Sequence, residues 1–255
     1  PIGLIAALFQ RYIHKEKIGE LGFKRCSFRQ IVEAFVLPLI IILIIFIADF
    51  ILRLVRIRPL AEVKNPFVRD QVGVRFSTLL FIIFISAFFT FLASLITEEL
   101  GFRGYLIGRF KKLGNTQALI LSSFLFGLWH LPPSLILLRS SAGRSAIYVF
   151  NIFLLGMLFG YLFLESKSLL PPSLCHGVWN ALEYTLFGYG NAEGVFSGRL
   201  RTVFDPEEGL VGTAALLVFA LFFLWKMKKR SVSIRGGEKV YCCLLYTSPS
   251  ARDRQ

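Results

Sequence analysis

A chain of 255 residues in which 55% are hydrophobic and 27 are Phe, with a mean hydropathy of +0.64, falls outside the ordinary soluble class. Its formal charge of +13 invites nucleic acid as a partner, but the Lys and Arg residues lie in short segments between apolar runs and build no basic domain. Anionic lipid headgroups are the expected partner instead, and no nucleic acid.

A hydrocarbon core of about 30 Å takes roughly 20 apolar residues of helix to cross. Residues 1–9 are apolar but too short, and read as the remnant of an earlier span followed by a basic loop to residue 29. Suitable stretches follow at 32–54, at 76–96 continuing to about 108, and at 117–138, 146–164, 169–187 and 210–227. The expected fold is therefore all-α, a polytopic transmembrane helix bundle over 30–230 with six complete spans plus a truncated N-terminal one. Residues 231–255 read as a polar tail, and 243–255 resemble the translation of a sequencing adapter and are set aside from the fold. Setting them aside removes Cys242 and Cys243 as a credible pair and leaves Cys26 and Cys175, too distant in sequence to imply a disulfide framework or a zinc cluster.

Counted by alternate loops, Lys and Arg are more numerous on the side of the N-terminal loop, Arg109–Lys112 and Lys226–Lys229, which places those segments in the cytoplasm of a bacterial-type membrane. Asp49 and Arg53, four residues apart near the end of the first span, read as a neutralised pair at the membrane interface.

The second span carries Glu98, Glu99 and Arg103 within a run that is otherwise apolar. A charge inside a bilayer helix costs about 2.5–3.5 kcal/mol on insertion scales, so such groups face a protein interior or a watery cavity. Glu99 and Arg103 are four apart with the acid first, the favourable order for a helical pair, and Glu98 points about 100° away. Two further spans present Phe126 with His130 and His176 with Asn180 at the same spacing, each beside a proline pair expected to disturb the helical hydrogen bonds. These residues suffice for hydrolysis of an amide by water. A desolvated carboxylate is a usable general base, an Arg keeps its neighbour ionised, one imidazole orients water, and a second imidazole with a carboxamide can stabilise an oxyanion. A membrane His or Asn can also serve only as a link between helices, and Gly156 with Gly160 reads as a site of close helix packing. A proton- or cation-coupled transporter using Glu98, Glu99 and the histidines as a relay is the first alternative, and a non-catalytic membrane scaffold the second.

In this order the three motifs resemble those of the CPBP family of intramembrane proteases, which includes the CAAX prenyl endopeptidases and the Abi, bacteriocin-processing proteins. E-E-x-x-x-R stands here as Glu98 to Arg103, F-x-x-x-H as Phe126 to His130, and H-x-x-x-N as His176 to Asn180. The similarity covers about 79–186, and the basic segment around Glu20–Phe23 looks like the family's upstream loop. The resemblance implies an endopeptidase acting on a prenylated or otherwise hydrophobic peptide. Glu98 and His130 would activate water, Glu99 and Arg103 would support them, His176 and Asn180 would hold the oxyanion, and Phe126 would line the site. The family is often labelled metalloprotease, and a zinc ion would be held by Glu98, His130 and His176; a metal-free glutamate mechanism is favoured because Arg103 already supplies positive charge. The expected geometry is one cavity, open to the cytoplasm, lined by the carboxylate and both imidazoles. The sequence names neither the substrate nor the oligomeric state.

Overall fold

The computed structural model describes residues 2–63, 73–136, 141–188, 194–198 and 200–236. The adapter-like segment 243–255 lies outside them, as do Lys64, Arg69, Arg139 and Arg199 of the charge count.

Helix α1 (Ile2–Leu8) runs into a π turn, and α2 (Phe28–Ile51) starts at a capping box in which Ser27 Oγ accepts from the Gln30 amide and Gln30 Oε1 accepts from the Ser27 amide. Strand β1 (Val55–Ile57) follows α2, and α3 (Phe76–Ser94) then continues without a break as a wider π-helix, Leu95–Ile107, to end near Leu113. Next come α4 (Asn115–Trp129), the short α5 (Leu131–Ile136), α6 (Ala142–Ser166) and α7 (Leu170–Leu182), the last extended by a π turn to Phe187. Strand β2 (Phe196–Gly198) pairs antiparallel with β1, Val55 opposite Gly198, and α8 (Arg201–Phe204) and α9 (Leu210–Gly236) complete the chain. Among the described residues the fold is an all-α bundle apart from this two-stranded ribbon.

Among the described residues, five helical segments are long and apolar enough to cross a membrane: Phe28–Ile51, Phe76–Leu113, Asn115–Ile136, Ala142–Ser166 and Leu210–Lys229. The stretch expected as a further span, 169–187, instead forms the 13-residue α7 and its π turn. Its side chains are almost all buried by protein, Cys175, Trp179 and Ala181 completely, so this helix is core rather than lipid-facing wall. The most enclosed long helix is α6, with 78% of its apolar window buried against 17–33% for the other four. Outward-facing Phe28, Phe76, Phe84, Phe89 and Val218 are what a lipid-facing surface requires.

Close approaches set the helices around α6 and α7. Gly156 and Gly160 face α4, where a Cβ on Gly156 would meet Ser123 at 3.0 Å and one on Gly160 would meet Leu119 at 2.4 Å. A Cβ on Gly177 would lie 2.6 Å from the Phe91 amide nitrogen, so α7 touches the α3 backbone. On the far side of α6, Tyr161 stacks on Phe223 of α9 with centroids 4.3 Å apart.

Other expectations are corrected. Both proline pairs occupy the first turns of helices, Pro132-Pro133 in α5 and Pro171-Pro172 in α7, where missing amides leave no hydrogen bond unmade. Asp49 and Arg53 do not pair. Helix α2 stops at Ile51 and Arg53 turns left-handed with φ 56°, so the helical ladder that would align them is broken. Asp49 stays wholly buried, with neither carboxylate oxygen hydrogen-bonded. Helix α9 also runs six residues into the expected tail, to Gly236. The upstream segment packs where it can brace the site helix: Leu21 is buried under Gly104, whose Cβ would meet the Leu21 carbonyl at 2.5 Å. Arg109 binds Glu16 and Gln10, and the Arg109 hydrogen bond holds the Glu16 carboxyl below its usual range.

Candidate active site

The first motif lies on the π-helical part of α3. Each turn there is wider than an α turn, a form that recurs at functional positions in other helices. Glu99 and Arg103 point inward and are 0% and 1% exposed, joined by an Nη1–Oε1 contact of 3.1 Å. Arg103 Nη2 donates to the carbonyl of Gly156 at 3.3 Å, so the glycine that lets α4 approach α6 also supplies an acceptor. The guanidinium carbon lies 4.2 Å from the centre of the Phe126 ring and 5.3 Å from that of Phe159. Rings on these faces hold the cation in an apolar setting.

His176 bridges the two carboxylates. Its Nδ1 is 2.8 Å from Glu99 Oε1, and its Nε2 is 3.9 Å from Glu98 Oε2. An ionised carboxylate only accepts, so Nδ1 carries a proton and donates to Glu99. Phe159 stacks on the imidazole with centroids 4.8 Å apart and an interplanar angle of 13°.

His130 closes α4 as its C-cap, and its Nδ1 is 2.9 Å from the carbonyl of Phe126. A carbonyl cannot donate, so that proton also resides on Nδ1, and Nε2 keeps its lone pair. Phe126 is buried and sits edge-on to His130 at 4.8 Å and to His176 at 6.0 Å.

Glu98, Phe126, His130, His176 and Asn180 line one cavity of about 60 Å³, room for a few water molecules. Glu99 and Arg103 stand behind it. The structure thus gathers all seven residues singled out in the sequence, five on the wall and two in support. Glu98 keeps 24% side-chain exposure, and its Oε2 has no hydrogen-bond partner. Two carboxylates adjacent in sequence have become unlike: Glu99 is held by Arg103 and His176, while Glu98 has an oxygen with no hydrogen-bond partner, 3.9 Å from His176 Nε2. Cys175, next to His176, is buried and absent from the wall.

The cavity lies toward the end of α4 and the first half of α6, where Tyr148 and Ile152 line it, and away from the Lys111–Leu113 turn. Its wall also includes residues that sequence reading passed over, among them Trp179, Tyr184 and Glu207. Trp179 precedes Asn180 directly and could have been drawn from the third motif. Glu207 stands in a short acidic run before the last span, where carboxylates ordinarily face solvent, and only the fold turns it inward.

A resident metal would have to draw on these donors. Glu99 Oε1 is taken by Arg103 and His176, and among the described residues no group of three or more His, Cys, Asp or Glu side chains is placed to hold an ion. The residues as arranged do not fit a zinc site built on Glu98, His130 and His176.

Residues 78–182 match the family model described as type II CAAX prenyl endopeptidase, Rce1-like, and the matched segment contains all three motifs. No curated protein and no solved structure matches the chain. This match supports the resemblance drawn from the motifs: over residues 78–182 the chain is similar to CAAX-type membrane proteases.

Proposed function

We propose that this Rce1-like chain is an intramembrane endopeptidase that hydrolyses a peptide bond of a prenylated or otherwise hydrophobic peptide by glutamate-activated water. The observation that carries the reading is that Glu98, whose Oε2 has no hydrogen-bond partner, and His130, whose Nε2 keeps its lone pair, line one small cavity. Water held there would lose a proton to Glu98 while His130 orients it. As hydroxide adds to the substrate carbonyl, the oxyanion would take hydrogen bonds from Asn180 Nδ2 and, in its imidazolium form, from His176 Nε2. Preorganised donors of this kind are worth about 10²–10³ in rate each. Arg103 and Glu99 fix His176 without touching substrate. No step is routed through a metal, so activity should survive removal of divalent ions by a chelator, and a loss restored by added zinc would count against this mechanism.

The apolar outer faces fit a bilayer, and the basic loops fit anionic headgroups. Access is proposed from the helix ends nearest the cavity, those at residues 130 and 142. A cytoplasmic site entered by this short route would put those ends in the cytoplasm, whereas the charge count puts the 109–112 loop there. Labelling of single cysteines at Lys112 and Ser141 in intact cells decides between them, since only one should react with a membrane-impermeant thiol reagent added outside.

Purified protein with Glu98→Ala or His130→Ala should remain folded and lose cleavage of a prenylated peptide. Cleavage retained in both variants would reject the mechanism.

A further inference from the structure

We propose that Glu207 is the proton donor to the departing amine in the hydrolysis described above, a role that rests on that reading. Glu207 lies beyond the segment matched by the family model, yet it shares the cavity wall with Glu98, His130, His176 and Asn180 and is only 5% exposed. Trp179 Nε1 donates to its Oε1 at 2.8 Å, tying it to the same helix that carries His176 and Asn180. Its backbone is equally fixed. Asp205 Oδ1 accepts from the amides of Glu207 and Glu208 at 3.0 and 2.9 Å, and Asn151 Nδ2 donates to the Glu207 and Gly209 carbonyls. The nearby cation Arg144 is committed to Glu208. A buried carboxyl in this setting is most stable as the neutral acid, and burial raises Glu207 to about 8 against the opposing Trp179 hydrogen bond.

The protons balance. Water gives one proton to Glu98 as its oxygen bonds to the carbonyl carbon. Collapse of the tetrahedral intermediate breaks the C–N bond, and the Glu207 O–H proton moves to the leaving nitrogen, releasing an amine. The proton held by Glu98 then passes across the shared cavity to the Glu207 carboxylate, restoring both groups. Glu98 as base and Glu207 as acid are two carboxyls set apart by environment, one partly exposed with an unpartnered oxygen and one buried on an indole N–H.

The test compares two probes on the full-length protein in liposomes: a farnesylated peptide, and the same peptide with the scissile amide replaced by a thioester. A thiolate leaves without a proton, whereas an amine does not. Glu207→Gln keeps an acceptor for Trp179 and should lower amide kcat by about 10²–10⁴-fold with little change in KM. It should spare thioester cleavage, which also reports that the site is intact. Wild-type amide turnover should fall as pH rises through about 8, because Glu207 then loses its proton, and this limb should be absent for the thioester. The titratable groups sharing the wall or loop of Glu207 are Asp205 and Glu208 on its own loop, Glu98 on α3, His130 on α4, Tyr148 on α6, His176 on α7 and Tyr184 in the turn after it. A pH limb shared by both probes would assign it to one of them and overturn the proton-donor role. Equal loss on both probes would make Glu207 structural, and an unchanged amide rate would make it idle; either overturns the proposal. Glu98→Gln should abolish both cleavages. Retention of both in that variant, or failure of the wild type on both probes, would overturn the underlying hydrolysis and the Glu207 role with it.

Discussion

Arg103 is the residue on which the buried charges depend. It is 1% exposed and holds Glu99, which is 0% exposed, while its second amino group reaches Gly156. Removing one member of a buried pair leaves the other charge uncompensated, at a cost of about 3–5 kcal/mol. Arg103→Ala should therefore lower resistance to denaturation by that amount, as measured by unfolding in mixed micelles, and Arg103→Lys should recover only part because it cannot serve Glu99 and Gly156 with one planar fork. Asn180→Ala should behave differently, since this half-buried carboxamide faces the cavity. Its folding should be unaffected and kcat should fall about 10²–10³-fold, read from steady-state cleavage of a farnesylated peptide. Much of this was legible from sequence: four-residue spacing of Glu99 with Arg103 and of His176 with Asn180 aligns side chains on any helix. The link between His176 and Glu99 was not, because it joins residues 77 positions apart and depends on how α3 and α7 meet.

At the scale of elements, that meeting is governed by Gly177. Any Cβ there would collide with the Phe91 backbone, which cannot swing aside as a flexible side chain can. Gly177→Ala should cost about 1–3 kcal/mol through overpacking and displace His176 and Asn180 from Glu98. Loss of stability should thus come with a fall in kcat, whereas Gly143→Ala, with open space around it, should change neither. Hydropathy read the long helices well, because lipid contact demands long apolar runs whatever the partners. It also gave α7 as a span, and there it could not tell lipid from protein, because a helix sheathed in protein shows the same apolar composition as one sheathed in lipid. The π-helix through Glu98 and Arg103 also escaped, since its residues are those of an ordinary helix and only tertiary packing selects the wider turn.

Across the whole molecule, α6 and α7 form a protein-filled centre, and the remaining long helices turn apolar side chains outward. The three motifs come from α3, α4 and α7, and α6 presses them together through Gly156, Phe159 and Ile152. The loop around Glu207 adds to this assembly a carboxyl that sequence order alone leaves far from the motifs. The most direct test of glutamate-activated hydrolysis is cleavage of a farnesylated peptide in heavy-oxygen water, with products weighed by mass spectrometry for the wild type and for Glu98→Gln. Hydrolysis by this route places one labelled oxygen in the new carboxylate for the wild type and gives at least about a hundred-fold less product from a folded variant, on the order expected for loss of a general base. Glu98→Gln cleaving at the wild-type rate would contradict it.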